Sequence, residues 1–106
     1  MTAADSGTEN LLPTVIGVLG AGTMGAGIAQ LAAKAGAETL LYDPLEAALE
    51  AGRQKARDGH GKEAARGSLS AEEAAAASER LHPVSELERL GACVLVIEAV
   101  PERLDL

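Results

Sequence analysis

The chain has 106 residues and a formal net charge of −7, with 47% hydrophobic residues, one Tyr and no Phe or Trp. That length supports one domain, whose modest core must come from Leu, Val, Ile and Ala rather than aromatic layers. The acidic balance argues against nucleic-acid and membrane-surface partners, and no stretch is long enough to span a bilayer.

Residues 1–13 are polar and acidic and lack the apolar run of a signal peptide, so they read as a disordered leader. A domain is expected over residues 14–106. Thr14, Val15, Ile16, Val18 and Leu19 form a β-branched run almost free of polar residues, as in a parallel strand buried on both faces. The run breaks into Gly20-Ala21-Gly22-Thr23-Met24-Gly25, the G-x-G-x-x-G spacing of a dinucleotide-binding loop. Each glycine has its own task. Gly20 allows the tight turn, Gly22 the approach of a pyrophosphate, and Gly25 close packing of helix on strand. Alone the spacing is a weak signal; its flanks give it weight.

Ala26, Ile28, Ala29, Leu31, Ala32 and Ala33 continue as a helix of small residues, ending near Gly36 with Lys34 in its last turn. The pyrophosphate is expected at the start of this helix, among its unpaired N–H groups. Glu38–Tyr42 reads as a second strand closed by Asp43-Pro44. Asp43 lies 18 residues past Gly25, where an acid can accept hydrogen bonds from the adenosine ribose hydroxyls. It also repels a 2′-phosphate, and no Arg or Lys follows within nine residues, so the expected cofactor is NAD rather than NADP.

Leu45 to Arg57 reads as a helix with a sparse stripe of Leu45, Leu49 and Ala56. Gly52, Gly59 and Gly61 interrupt it at about 1 kcal/mol each relative to Ala, so residues 58–67 are the weakest helical stretch. Ser70-Ala-Glu-Glu73 is a capping box opening an alanine-rich helix to Arg80. Leu81–Val84 reads as a short strand that Pro83 marks as an edge. Ser85-Glu-Leu-Glu88 is a second capping box, opening a brief helix to Leu90. Cys93–Ile97 is the strongest remaining strand, running into Glu98-Ala99-Val100-Pro101-Glu102. Cys93 reads as a buried, inert thiol, and His60 and His82 as surface residues.

The order β-α-β-α-α-β-α-β gives an α/β fold, an incomplete Rossmann-type doubly wound parallel sheet of four strands. Right-handed crossovers place the strands 3-2-1-4. The topological switch point then brings Glu98–Glu102 to the same cleft as Gly20–Gly25.

Gly20-Ala-Gly-Thr-Met-Gly-Ala-Gly-Ile-Ala-Gln30, Tyr42-Asp43, Gly67-Ser-Leu-Ser70 and Val96-Ile-Glu-Ala-Val-Pro-Glu102 together resemble the N-terminal NAD-binding domain of 3-hydroxyacyl-CoA dehydrogenases. The resemblance runs from Thr14 to Leu106. It implies oxidation of (S)-3-hydroxyacyl-CoA to 3-ketoacyl-CoA by hydride transfer to NAD. It implies cofactor contacts at Gly20, Ala21, Gly22, Thr23, Met24, Gly25, Asp43, Ala99, Val100 and Glu102. The family contacts coenzyme A through a serine and a lysine of its second helix. Here Gly59 stands at the serine, while Arg66 keeps the positive charge and is the expected CoA contact. The family's catalytic His, its partner Glu, and the Ser and Asn that position substrate fall beyond Leu106. No catalytic residue or metal ligand is therefore assigned within the chain. The expected protein is the NAD-binding portion of a cytoplasmic enzyme, truncated before its catalytic region and inactive alone. When full length it is expected to be a homo-oligomer acting on an acyl-CoA or acyl-carrier-protein substrate. The alternative is a stand-alone NAD-binding or redox-sensing module without catalysis.

Overall fold

Residues 14–99 are described by a computed structural model; the expected leader over residues 1–13, and Val100 and Glu102, lie outside them. Four strands form one parallel sheet: β1 (Val15–Leu19), β2 (Glu38–Tyr42), β3 (Leu81–Val84) and β4 (Leu95–Glu98). Their order, β3-β2-β1-β4, is the one that right-handed crossovers predict. The helices are α1 (Thr23–Lys34), α2 (Glu46–Arg66) and α3 (Ala71–Glu79), and a 3-10 turn, Leu87–Ala92, leads into β4. Among the described residues no helix is long and apolar enough to cross a membrane.

Strand alternation sorts the two faces of the sheet. Val18 and Leu41 join Ala29, Ala33, Leu49 and Ala56 in one buried cluster. The small side chains let α1 lie close on the strands, as the alanine-rich composition requires. Gly17 turns to the other face, where a Cβ would stand 2.9 Å from the Cys93 sulfur and 3.0 Å from Leu90 Cδ2. The 3-10 turn is thus pressed against β1 at a glycine. Cys93 is half-buried there, and burial pushes its thiol pKa up, in keeping with an inert group. The strand expected from Cys93 starts two residues later, at Leu95, and occupies a sheet edge with Leu95 and Val96 exposed.

Three local expectations are corrected. First, α2 is unbroken over Glu46–Arg66, despite its glycines. A Cβ on Gly52 would collide with the Ala21 carbonyl oxygen, and one on Gly59 with the Gln30 amide. Their cost in helix propensity is offset by close packing on the loop and on α1. Gly67, at φ 82°, ends α2 in the left-handed conformation that glycine favours. Leu45 stands in extended conformation before α2 and is exposed, so only Leu49 and Ala56 of the expected stripe are buried.

Second, His60 is buried. Its Nε2 donates to the Gln30 carbonyl at 3.0 Å, and its Nδ1 pairs with the Ser78 hydroxyl at 3.1 Å. The ring therefore ties α2 to both α1 and α3. Beside it Glu63, also buried, accepts from Lys34 Nζ at 2.8 Å and Gln30 Nε2 at 3.0 Å. The hydrogen bond from Lys34 holds the Glu63 carboxyl below the usual carboxylate value. His82 does lie half-exposed on the border strand β3, paired with Glu38 of the neighbouring β2 at 2.7 Å.

Third, only one capping box forms. Ser70 Oγ accepts from the Glu73 N–H at 3.0 Å, and Glu73 Oε1 accepts from the Ser70 N–H at 2.8 Å. The second box is absent because the Ser85–Glu88 segment leads into a 3-10 turn entered from Glu86, without a side-chain cap. Its i→i+3 bonds, such as Arg89 N–H to Glu86 C=O at 3.0 Å, hold too short a segment for an α-helical first turn.

Candidate dinucleotide-binding site

The carboxyl ends of β2, β1 and β4 meet at the glycine loop. Gly20 N–H donates to the Tyr42 carbonyl at 2.7 Å, and Ala99 N–H donates to the Leu19 carbonyl at 2.7 Å. The three glycines stand in three different situations. Gly20 has φ 108°, the left-handed region. A Cβ on Gly25 would run into the Gly20 carbonyl, so the helix could not start so close to its strand. Gly22 is different: its φ is −71°, and a Cβ there would meet nothing within 4 Å. Neither backbone conformation nor crowding within the described residues calls for glycine at position 22. The open space lies where a pyrophosphate would approach, and that is how this loop fits the group.

The start of α1 suits an anion. Gly22 caps it without a side chain, and its first turn holds no acidic residue. The leading N–H groups of a helix have no intrahelical acceptor, and the positive end of its dipole adds about 0.3–1 kcal/mol for an anion. Thr23 and Met24 are exposed at this start, while Gly25 is buried.

Asp43, at the tip of β2, is fixed by the loop itself. Its Oδ2 accepts from the Ala21 N–H at 2.9 Å, and its Oδ1 from the Leu45 N–H at 2.9 Å. Each oxygen retains a second acceptor site for a ribose hydroxyl. The nearest cation downstream, Arg53, is committed to Glu50 at 3.1 Å through its Nε. On the opposite wall, Ala99 is buried, 3.6 Å from the position of a Cβ on Gly25. Gly20–Gly25, Asp43 and Ala99 therefore converge, whereas Val100 and Glu102 lie outside the described residues.

Arg66 belongs to a separate place. It lines a cavity of about 710 Å³ along α2, together with Gly59, Gln30, Lys55 and Lys62. A smaller cavity of about 260 Å³ lies between Ala21–Thr23 and α2, and Lys55 lines it too. The sequence reading misses Gly52 and Lys55. Gly52 looks like a helix breaker until its contact with Ala21 is seen. Lys55 is legible only through spacing, since positions 55, 59, 62 and 66 fall on one helical face.

Comparison with known proteins agrees with this geometry. Residues 15–106 match the family described as 3-hydroxyacyl-CoA dehydrogenase, NAD binding domain. The chain is 45% identical over 94 residues to 3-hydroxyadipyl-CoA dehydrogenase of Escherichia coli, covering 85% of this chain and 19% of that protein. It is 38% identical over 87 residues to 3-hydroxybutyryl-CoA dehydrogenase of Mycobacterium tuberculosis, covering 82% and 30%. The crystal structure of 3-hydroxybutyryl-CoA dehydrogenase from Escherichia coli superposes with a TM-score of 0.80 at 41% identity, over 89% of this chain and 20% of that one. The (S)-3-hydroxybutyryl-CoA dehydrogenase of Ralstonia eutropha gives 0.80 at 31%, over 89% and 33%. The chain thus spans between a fifth and a third of the length of these relatives. It belongs to the NAD-binding domain family of the 3-hydroxyacyl-CoA dehydrogenases, and its cofactor is NAD.

Proposed function

We propose that this chain holds NAD within a cytoplasmic, homo-oligomeric enzyme that oxidises (S)-3-hydroxyacyl-CoA to 3-ketoacyl-CoA. The observation that carries the reading is Gly22, a glycine that no contact or backbone angle of the described residues requires. The pyrophosphate lies across Gly20–Gly25 and the N–H groups that open α1. Asp43, held by Ala21 and Leu45, accepts from the ribose hydroxyls and keeps a 2′-phosphate out. Ala99, Val100 and Glu102 wall the other side, and Arg66 contacts the CoA of the substrate. The nicotinamide, when bound, accepts the hydride. The chain's own residues bind and orient, while the general base that takes the hydroxyl proton lies outside this chain.

Titration calorimetry with both nucleotides tests the reading. The chain binds NAD and holds NADP at least about tenfold more weakly, the cost of one unpaired charge repulsion. Pure 106-residue chain reduces no acetoacetyl-CoA. Equal affinity for NADP would remove the role given to Asp43, and clear turnover would place the catalytic base within the chain.

A further inference from the structure

His60 and Ser78 line a second cavity, of about 480 Å³, between α2 and α3. Ser78 is half-buried, whereas His60 is shielded from solvent. The Gln30 carbonyl, 3.0 Å from Nε2, can only accept, so it fixes the proton of the neutral ring on that nitrogen. Nδ1 then carries a bare lone pair, 3.1 Å from Ser78 Oγ, and the serine hydroxyl is the donor. A nucleophile, a base and a third group that orients the base thus stand in line, at the spacing that activates a serine. A backbone carbonyl takes the orienting place that a carboxylate holds in hydrolytic triads. The other described serines lack this arrangement. Ser70 Oγ is engaged in capping α3, and His82, the other histidine of the chain, pairs with Glu38 rather than with Ser68 or Ser85. Gly61 and Ala75 are small and exposed, so the cavity opens to solvent beside Ser78. Arg57 lines it too, and forms no salt bridge among the described residues.

We propose that Ser78 is an acylation site: a nucleophile, activated by His60, that takes the acyl group of a short activated ester or thioester. Its Oγ attacks the carbonyl carbon while the hydroxyl proton passes to His60 Nδ1. The cation of Arg57 on the same wall favours the negative oxygen of the adduct. The bond from the acyl carbon to the leaving oxygen or sulfur then breaks, and the leaving group departs with the proton from Nδ1. Ser78 keeps the acyl group as an oxygen ester, and the step uses no oxidant or reductant. Water reaches Nδ1 poorly because His60 is buried, so the ester hydrolyses slowly. The product is one retained acyl group per chain. The inference is independent of the NAD and coenzyme A readings.

The test is incubation of the full chain with p-nitrophenyl acetate, and separately with S-phenyl thioacetate, followed by peptide mass spectrometry. Hydroxylamine cleaves an oxygen ester and spares lysine amides, so it separates a label on Ser78 from acetylated lysines. In the folded chain Ser78 is expected to label at least about tenfold faster than Ser68, Ser70 or Ser85. In urea that preference is expected to vanish. His60→Asn, with its fold checked by circular dichroism, should slow labelling of Ser78 by about a hundredfold, the lower end of what a positioned base contributes. Labelling by one donor alone upholds the site and names its donor class. If Ser78 labels no faster than the other described serines with either donor, or equally fast in folded His60→Asn, the inference fails. A preference that survives in urea would also overturn it, because it would not come from the folded pair.

Discussion

Gly52 touches the glycine loop at Ala21: a Cβ on residue 52 would occupy the place of the Ala21 carbonyl oxygen. Ala21 is also the residue whose N–H fixes Asp43 at 2.9 Å. A helix glycine 31 residues after Ala21 thus helps to set Asp43, the proposed ribose acceptor. Gly52→Ala gains about 1 kcal/mol of helix propensity. Crowding against fixed backbone costs about 1–3 kcal/mol, so the net change is destabilising. Urea denaturation is expected to show that loss, and a nucleotide titration a weaker affinity for NAD.

Gly22→Ala is expected to behave in the opposite way. Its φ of −71° is open to any residue and the added methyl meets nothing. Stability should hold or rise by about 0.4–1 kcal/mol, through a less flexible unfolded chain. NAD binding should fall at least tenfold, roughly the 1.4 kcal/mol of a methyl displacing the pyrophosphate. Thermal melting and calorimetry on one sample read both numbers; a stable variant with unchanged affinity would contradict the site.

His60→Leu removes both bonds of a ring that is 1% exposed. The Ser78 hydroxyl loses its ring partner and the Gln30 carbonyl loses its second donor while keeping the Lys34 N–H within α1, at about 0.5–1.5 kcal/mol for each bond. Ser78→Ala leaves the Gln30 bond in place and should cost less. Denaturation midpoints that rank the two variants the other way would refute the three-helix tie.

Acid should loosen the same region. Glu63 has its carboxyl held below the ordinary value of 4.5, chiefly by the hydrogen bond from Lys34. A carboxyl depressed in the folded state stabilises the fold fully above its unfolded value, and that contribution is lost as pH falls through the folded one. Stability should therefore be level well above the unfolded value of 4.5 and fall progressively as pH drops below it. Glu63→Gln should flatten the drop, as denaturation at a series of pH values will show.

The glycine turn, the place of Asp43 at the tip of β2 and the strand order were legible because each rests on local pattern: a β-branched run, glycines at fixed offsets, and the handedness of crossovers. Gly52, Gly59 and His60 were not, for one common reason. Their meaning lies in what packs against them from another helix or from the loop, and propensity alone reads a helix glycine as a break. The second capping box failed likewise: S-x-x-E is a preference, overridden where the chain must turn tightly beneath Gly17 to reach β4.

β1 and β2 are the two inner strands, each paired on both sides, while β3 and β4 form the borders. Amide hydrogens of β1 and β2 should be the last in the sheet to exchange with solvent, since releasing them requires the sheet itself to come apart. Gly20 leaves the end of β1, and Asp43 the end of β2. Fraying of either border therefore leaves the spacing between the glycine loop and Asp43, the proposed pyrophosphate and ribose contacts, intact. The cofactor grip is mounted on the slowest-opening unit of the fold, and partial unfolding should release the outer strands well before it releases NAD.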